Sequence, residues 1–108
     1  MNPDQLRGNL DLILLTVLEH DALYGFRIIQ DTKLRSEGYF DFKEGSLYPA
    51  LHRLTQEGLL TTEEREPGRN GKPRRYYQIT AKGREVLQKK RDEWRTFRNA
   101  LDALGPQP

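Results

Sequence analysis

The stretch EGSLYPALHRLTQEGLL, Glu44 to Leu60, decides the fold. Leu47, Ala50, Leu51 and Leu54 recur at i, i+3, i+4 and i+7, the spacing of one buried helix face. Ser46 stands one residue before that period and is the expected N-cap, its hydroxyl accepting from the backbone N–H of Tyr48. Pro49 then falls at the third helical position, where a missing N–H has no intrahelical partner to lose. Gly58 is the expected terminator. At about 100° per residue, Tyr48, Pro49, His52, Arg53 and Gln56 lie opposite the apolar arc. This helix therefore carries aromatic, polar and cationic groups where packing does not ask for them.

Upstream, NLDLILLTVLEH, Asn9 to His20, is apolar on nearly all sides and reads as a central helix clasped by its neighbours. His20-Asp21-Ala22 is a short connection into a second helix over Tyr24 to Leu34, with Phe26, Ile29 and Lys33 along one side and Ile28 and Leu34 flanking. Gly38 to Gly45 is a turn-rich link whose Tyr39, Phe40 and Phe42 cover a core edge.

Downstream, Leu60–Glu66 and Arg74–Ile79 read as two strands joined by PGRNGKP. Asn70-Gly71 is the hairpin signal, because both central residues of a type I′ turn need positive φ. GRNGK does not make a phosphate-binding loop, since its glycines are too close and Pro73 follows the lysine. From the N-cap Thr80, one helix runs to Gly105-Pro106; about 25 residues make a rod of roughly 37 Å. Leu87, Lys90, Trp94, Phe97, Leu101 and Leu104 fall at alternating steps of three and four, a short heptad-like seam interrupted by a lysine.

The 108 residues support one compact domain with a single appendage, and the chain has no cysteine and two histidines, which excludes disulfides and thiolate metal sites. No metal or cofactor is expected. Carboxylates are scattered and Ser46 has no neighbouring base in sequence, so enzymatic chemistry has no support. The N-terminus lacks signal-peptide features and no apolar run approaches the length of a membrane span, which suggests a cytoplasmic protein without membrane attachment. Charge is uneven: residues 1–64 carry six Lys/Arg and eleven Asp/Glu, whereas residues 65–108 carry twelve and five. A basic half points to a polyanionic partner.

Three helices, a hairpin and a long helix make a mostly α, α+β plan: a winged helix-turn-helix over residues 1–79, a C-terminal dimerisation helix over 80–105 and a tail at 106–108. In that plan the third helix enters the major groove. Arg69, Lys72, Arg74 and Arg75 on the hairpin suit phosphate contacts. Trp94, Phe97, Leu101 and Leu104 exceed what such a domain can bury alone, and a second copy of the chain is the simplest cover.

LDLILLTVLEHDALYGFRIIQ, EGSLYPALHRLTQEGLL and GKPRRYYQITAKG together resemble the PadR family of bacterial transcriptional regulators, over nearly the whole chain. The specific elements are Tyr24-Gly25, Gly45-Ser46-Leu47-Tyr48-Pro49 with Leu51, Arg53 and Leu54, Gly58-Leu59-Leu60, and Tyr76-Tyr77 followed by Thr80 and Gly83. The resemblance implies a dimeric binder of double-stranded DNA, commonly a repressor, of the subgroup with a single C-terminal helix. It places Tyr24 and Gly25 near the DNA backbone and Ser46, Tyr48, Pro49, His52 and Arg53 on the recognition helix. Lys72, Arg74 and Arg75 would be wing cations, and Tyr77 a wing-anchoring aromatic. It further implies a pocket for a flat hydrophobic or aromatic effector near Trp94, a residue that packing in the helix seam would equally explain. The competing function is a winged-helix module that binds an acidic protein surface; a steep fall of affinity with salt separates DNA binding from it.

Overall fold

The computed structural model describes residues 3–66 and 71–106, with residues 3–7 as backbone alone. The order is α1 (Pro3–Val17), β1 (Leu23–Tyr24), α2 (Gly25–Arg35), α3 (Glu44–Gln56), β2 (Leu60–Arg65), β3 (Arg74–Ile79) and α4 (Ala81–Leu104). The strands form an antiparallel sheet in the order β1-β3-β2, in register from Leu60 opposite Ile79 to Arg65 opposite Arg74. β1 is two residues long and takes Tyr24, the expected first residue of the second helix, which begins instead at Gly25; it exists through its pairing of Leu23 with Tyr77 and Tyr24 with Tyr76.

The core is a leucine cluster. Leu14, Leu15 and Leu18 meet Ile28 of α2, Leu47, Leu51 and Leu54 of α3, Leu60 of β2 and Leu87 of α4, all fully buried. α1 opens at Pro3, before its apolar run, and gives way after Val17, where Glu19 N–H bonds Thr16 C=O in a tightened last turn. α2 corrects the expected face: Gly25, Ile28 and Thr32 are buried, while Phe26 and Leu34 are exposed. Two of those three inward residues are small or polar and carry no hydropathy signal.

α3 begins earlier than expected. Lys43, not Ser46, is the N-cap, and its carbonyl accepts from the N–H of Ser46 at 3.1 Å and of Leu47 at 3.0 Å. Pro49 therefore lies inside the helix, at its sixth residue, and denies the Gly45 carbonyl its usual i+4 donor. Gly45 is exposed, so water can take that place. The C-terminus follows the expectation, with Gly58 at φ 79° and Leu59 N–H returning to Leu54 C=O at 3.0 Å.

Thr80 joins the wing to α4. Its hydroxyl accepts from Gly83 N–H at 3.0 Å and donates to Gly58 C=O at 2.7 Å. A Cβ on Gly83 would overlap the Leu59 carbonyl and lie 2.8 Å from Cγ1 of Ile79, so α4 starts where only glycine fits. Leu87 is 2% exposed within the core, which removes it from the expected dimer seam. The rest of the 24-residue helix projects and gives the molecule extents of 60 × 29 × 25 Å.

Candidate nucleic-acid interface

α3 is anchored by four buried residues, Leu47, Ala50, Leu51 and Leu54. Anchoring that face leaves Ser46, Pro49, His52 and Gln56 exposed on the other side. Tyr48 is intermediate between these sets: it is 41% exposed, and its ring lies against Gly25 at the first turn of α2. A Cβ on Gly25 would stand 2.6 Å from Cε1 and 2.7 Å from Cζ of that ring, so the bare glycine backbone makes the seat for the tyrosine. Burial, then the Glu44 carboxylate and Tyr77, push the Tyr48 phenol up, which keeps it a neutral O–H donor. Gly25 itself is buried and offers no side chain to a partner.

Arg53 does not stand with the outward set. Its guanidinium turns to α1 and donates two bonds to Asp11, Nη1 to Oδ2 at 3.0 Å and Nη2 to Oδ1, with Glu57 at 3.5 Å from Nη1. The bond to Asp11 outweighs desolvation and holds Arg53 still more firmly protonated. Helical phase places the arginine Cβ correctly, but the long side chain bends back along the protein surface.

On the face of the sheet shared by Tyr24, Arg74, Tyr76 and Arg65, rings and guanidiniums alternate. Arg74 lies 4.5 Å over the Tyr24 ring, Tyr24 meets Tyr76 edge-on at 5.5 Å, and Arg65 lies 4.4 Å over Tyr76. Tyr24 thus carries a wing cation as well as preceding α2. Lys72 and Arg75 are exposed and, among the described residues, lack an ion pair. Arg69 and Asn70 lie outside the described residues; Gly71 beside them has φ 74°, as the turn requires. β2 is less basic than its partner, with Glu63, Glu64 and Glu66 exposed at or next to it. Lys82 caps the end of α3 through a 3.0 Å bond to Glu57 C=O.

Beyond Leu87 the apolar stripe of α4 is uncovered: Trp94 is 48% exposed, Phe97 66%, Leu101 56% and Leu104 77%. Trp94 also faces a groove of about 740 Å³ between α1, α2 and α4, lined by Leu12, Ile13, Val17, Phe40 and four arginines, Arg35, Arg91, Arg95 and Arg98. Thr32 Oγ1 is buried at this groove without a hydrogen-bond partner among the described residues. Arg91 spans from α4 to the end of α1, donating to Glu19 at 2.8 and 2.7 Å, and this bond draws the Glu19 carboxyl below its ordinary range.

Asp11, Glu19 and Arg91 were not singled out in the sequence, and Tyr76 entered only through the family resemblance. For Asp11 a signal existed: a carboxylate inside NLDLILL must find a partner if it is buried. Nothing comparable marked Glu19 and Arg91. Among the described residues no group of His, Asp or Glu could hold a metal, and no helix is long and apolar enough to cross a membrane.

The model of the transcriptional regulator PadR-like family matches residues 14–89. The transcriptional regulator Rv3488 of Mycobacterium tuberculosis is 38% identical over 78 residues, covering 69% of this chain and 68% of that protein. Among solved structures, a transcriptional regulator from Clostridium thermocellum matches with TM-score 0.84 and 26% identity over 98% of this chain and 99% of that one. A PadR-like transcription factor from Bacteroides fragilis gives TM-score 0.80 and 30% identity over 94% and 95%. The PadR-like regulator of Bacillus cereus gives 0.79 and 30% over 97% and 99%. These likenesses show that the chain belongs to the PadR-like family of transcriptional regulators.

Proposed function

We propose that this regulator is a homodimeric repressor that binds a palindromic operator and is released when a small aromatic or hydrophobic molecule occupies the groove beside Trp94. The observation that carries the dimer is the uncovered stripe Trp94, Phe97, Leu101 and Leu104 on a projecting helix. Four large apolar side chains in a row on one helix are a surface that water disfavours and a symmetric copy can cover. Residues 80–105 then serve dimerisation from about Lys90 onward, and residues 1–79 with the first turns of α4 form the DNA-binding unit. Two recognition helices related by a two-fold axis meet half-sites about one DNA turn apart, roughly 34–36 Å.

On DNA, Ser46, Pro49 and His52, with Gln56, face the groove from α3, and Tyr48 and the N-terminal turn of α2 at Tyr24-Gly25 flank them. Lys72, Arg74 and Arg75, together with Arg69, grip phosphate through the wing. Arg53 shares the outward side of α3, but its guanidinium is turned back to Asp11 and supports this surface rather than meeting DNA directly.

Selecting genomic fragments on the purified protein at two salt concentrations tests the reading and yields the operator. Enriched fragments should share an inverted repeat, and log K should fall linearly with log salt. Recovery of no common sequence, or binding indifferent to salt, would leave the protein-docking alternative in its place.

A further inference from the structure

Asp11 is 6% exposed in the middle of the apolar run of α1, where an unpaired carboxylate would cost several kcal/mol. Its partner is far away in the chain, on α3, where the Arg53 Cβ shares the outward side with Ser46 and Pro49 while its guanidinium turns back to α1. A bidentate carboxylate–guanidinium pair fixes the plane of two bonds as well as a distance. Between α1 and α3 it therefore adds a directional restraint on the rotation of α3 about its own axis to the packing of Leu47, Ala50, Leu51 and Leu54. With side chains reaching roughly 5–6 Å from a helix axis, a rotation of about 10° moves their tips by about 1 Å. A displacement of that size exceeds what groove hydrogen bonds tolerate.

We propose that Asp11 is a positioning residue for the recognition helix: by drawing the Arg53 guanidinium back onto α1, it sets the angle at which Ser46, Pro49, His52 and Gln56 meet the base edges. This inference rests on the DNA-binding reading above. It differs from two simpler roles for the pair. If Asp11 only neutralised a cation beside DNA, its removal would strengthen binding to every duplex. If the pair only held the fold together, an apolar replacement of equal stability would preserve binding, because buried ion pairs are often replaced by hydrophobic side chains without loss of stability.

The experiment compares wild type, Asp11→Asn and the double variant Asp11→Leu/Arg53→Met for unfolding temperature and for binding to two duplexes, the selected operator and a random sequence of equal length. For a folded Asp11→Asn we expect operator affinity to drop about tenfold or more, with affinity for the random duplex unchanged or raised because a negative charge has gone. Equal gains on both duplexes, or an unchanged operator affinity, overturn the proposal. Where Asp11→Asn fails to fold, the double variant decides: loss of operator affinity at wild-type salt dependence supports positioning, and retained affinity refutes it. A salt slope lowered by about one phosphate contact, roughly 0.9, would make Arg53 a direct contact and would equally refute it. Wild type that binds neither duplex would sink the DNA reading itself, a result distinguishable from all of these.

Discussion

Replacing Gly25 by alanine tests how the second and third helices are joined at the proposed DNA face. The added Cβ would lie 2.6 and 2.7 Å from two carbons of the Tyr48 ring, with the phenol oxygen nearer still. Carbon atoms rest about 3.5–4.0 Å apart, so the ring must retreat by about 1 Å or swing out. Tyr48 is 41% exposed, so swinging out toward solvent is the cheaper course. A fully buried tyrosine covers about 150–250 Å²; losing roughly half of that, at about 25 cal/mol per Å², costs about 2 kcal/mol. Alanine in place of a helical glycine offsets about 0.5–1 kcal/mol. The expected net loss is about 1–1.5 kcal/mol, or roughly 5–10 °C in unfolding temperature at fixed protein concentration. Operator affinity should fall further than stability does, because the displaced phenol enters the surface of Ser46, Pro49 and His52. A double-mutant cycle with Tyr48→Ala, read by urea unfolding, should show coupling of about 1–2 kcal/mol, since without the ring there is nothing for the methyl to strike. Additivity within about 0.5 kcal/mol would show that the ring does not rest on Gly25.

Gly83→Ala meets a wall of another kind, the Leu59 carbonyl, which cannot swing aside; a loss of at least about 2–3 kcal/mol is expected in urea, and truncating Ile79 should not recover it. Leu101→Glu should leave a folded chain that sediments as a monomer, and wild-type sedimentation would place the interface elsewhere. Leu87→Ala should instead cost about 2–5 kcal/mol through a core cavity. Glu19 has its pKa lowered by Arg91, so its contribution to stability is fully present above the unfolded value near 4.5 and is lost as pH falls through the lower folded value. Glu19→Gln should accordingly be less stable than wild type at pH 7, with the gap closing in acid; a gap constant from pH 7 to pH 3 would contradict the pairing.

The wing and the caps were legible because their signals are local. Arg74–Ile79 declares itself by aromatic and branched residues, Gly58 and Gly105 by position, and Thr80 by standing three residues before the N–H it accepts from. The buried face of α3 was equally legible from its period. What failed was whatever depends on a backbone turn or a distant partner. Lys43 caps α3 with no side-chain bond, so Ser46 looked the better start. β1 has two residues and no period at all; only β3 beside it makes it a strand. The direction of Arg53 was set by Asp11, on another helix, and no helical wheel contains that information.

The stripe on α4 shows the same limit in a form that bears on function. Leu87, Lys90, Trp94, Phe97, Leu101 and Leu104 belong to one continuous pattern, and nothing in their spacing marks where the domain surface ends. The fold supplies the mark: Leu87 is in the core beside α1, Arg91 is fastened to Glu19 at the end of α1, and Trp94 is the first member half in solvent. One stripe thus does two jobs in succession, packing within the chain and then presenting an apolar ridge beyond it. Because the helix is continuous through Arg91, a partner that grips Leu101 also holds the angle at which α4 leaves α1. In the proposed dimer, the packing of Leu101 and the geometry of the groove beside Trp94 would therefore be mechanically linked, and a change in that groove would reach the spacing of the two α3 helices without any hinge, through the rotation of a single rigid rod.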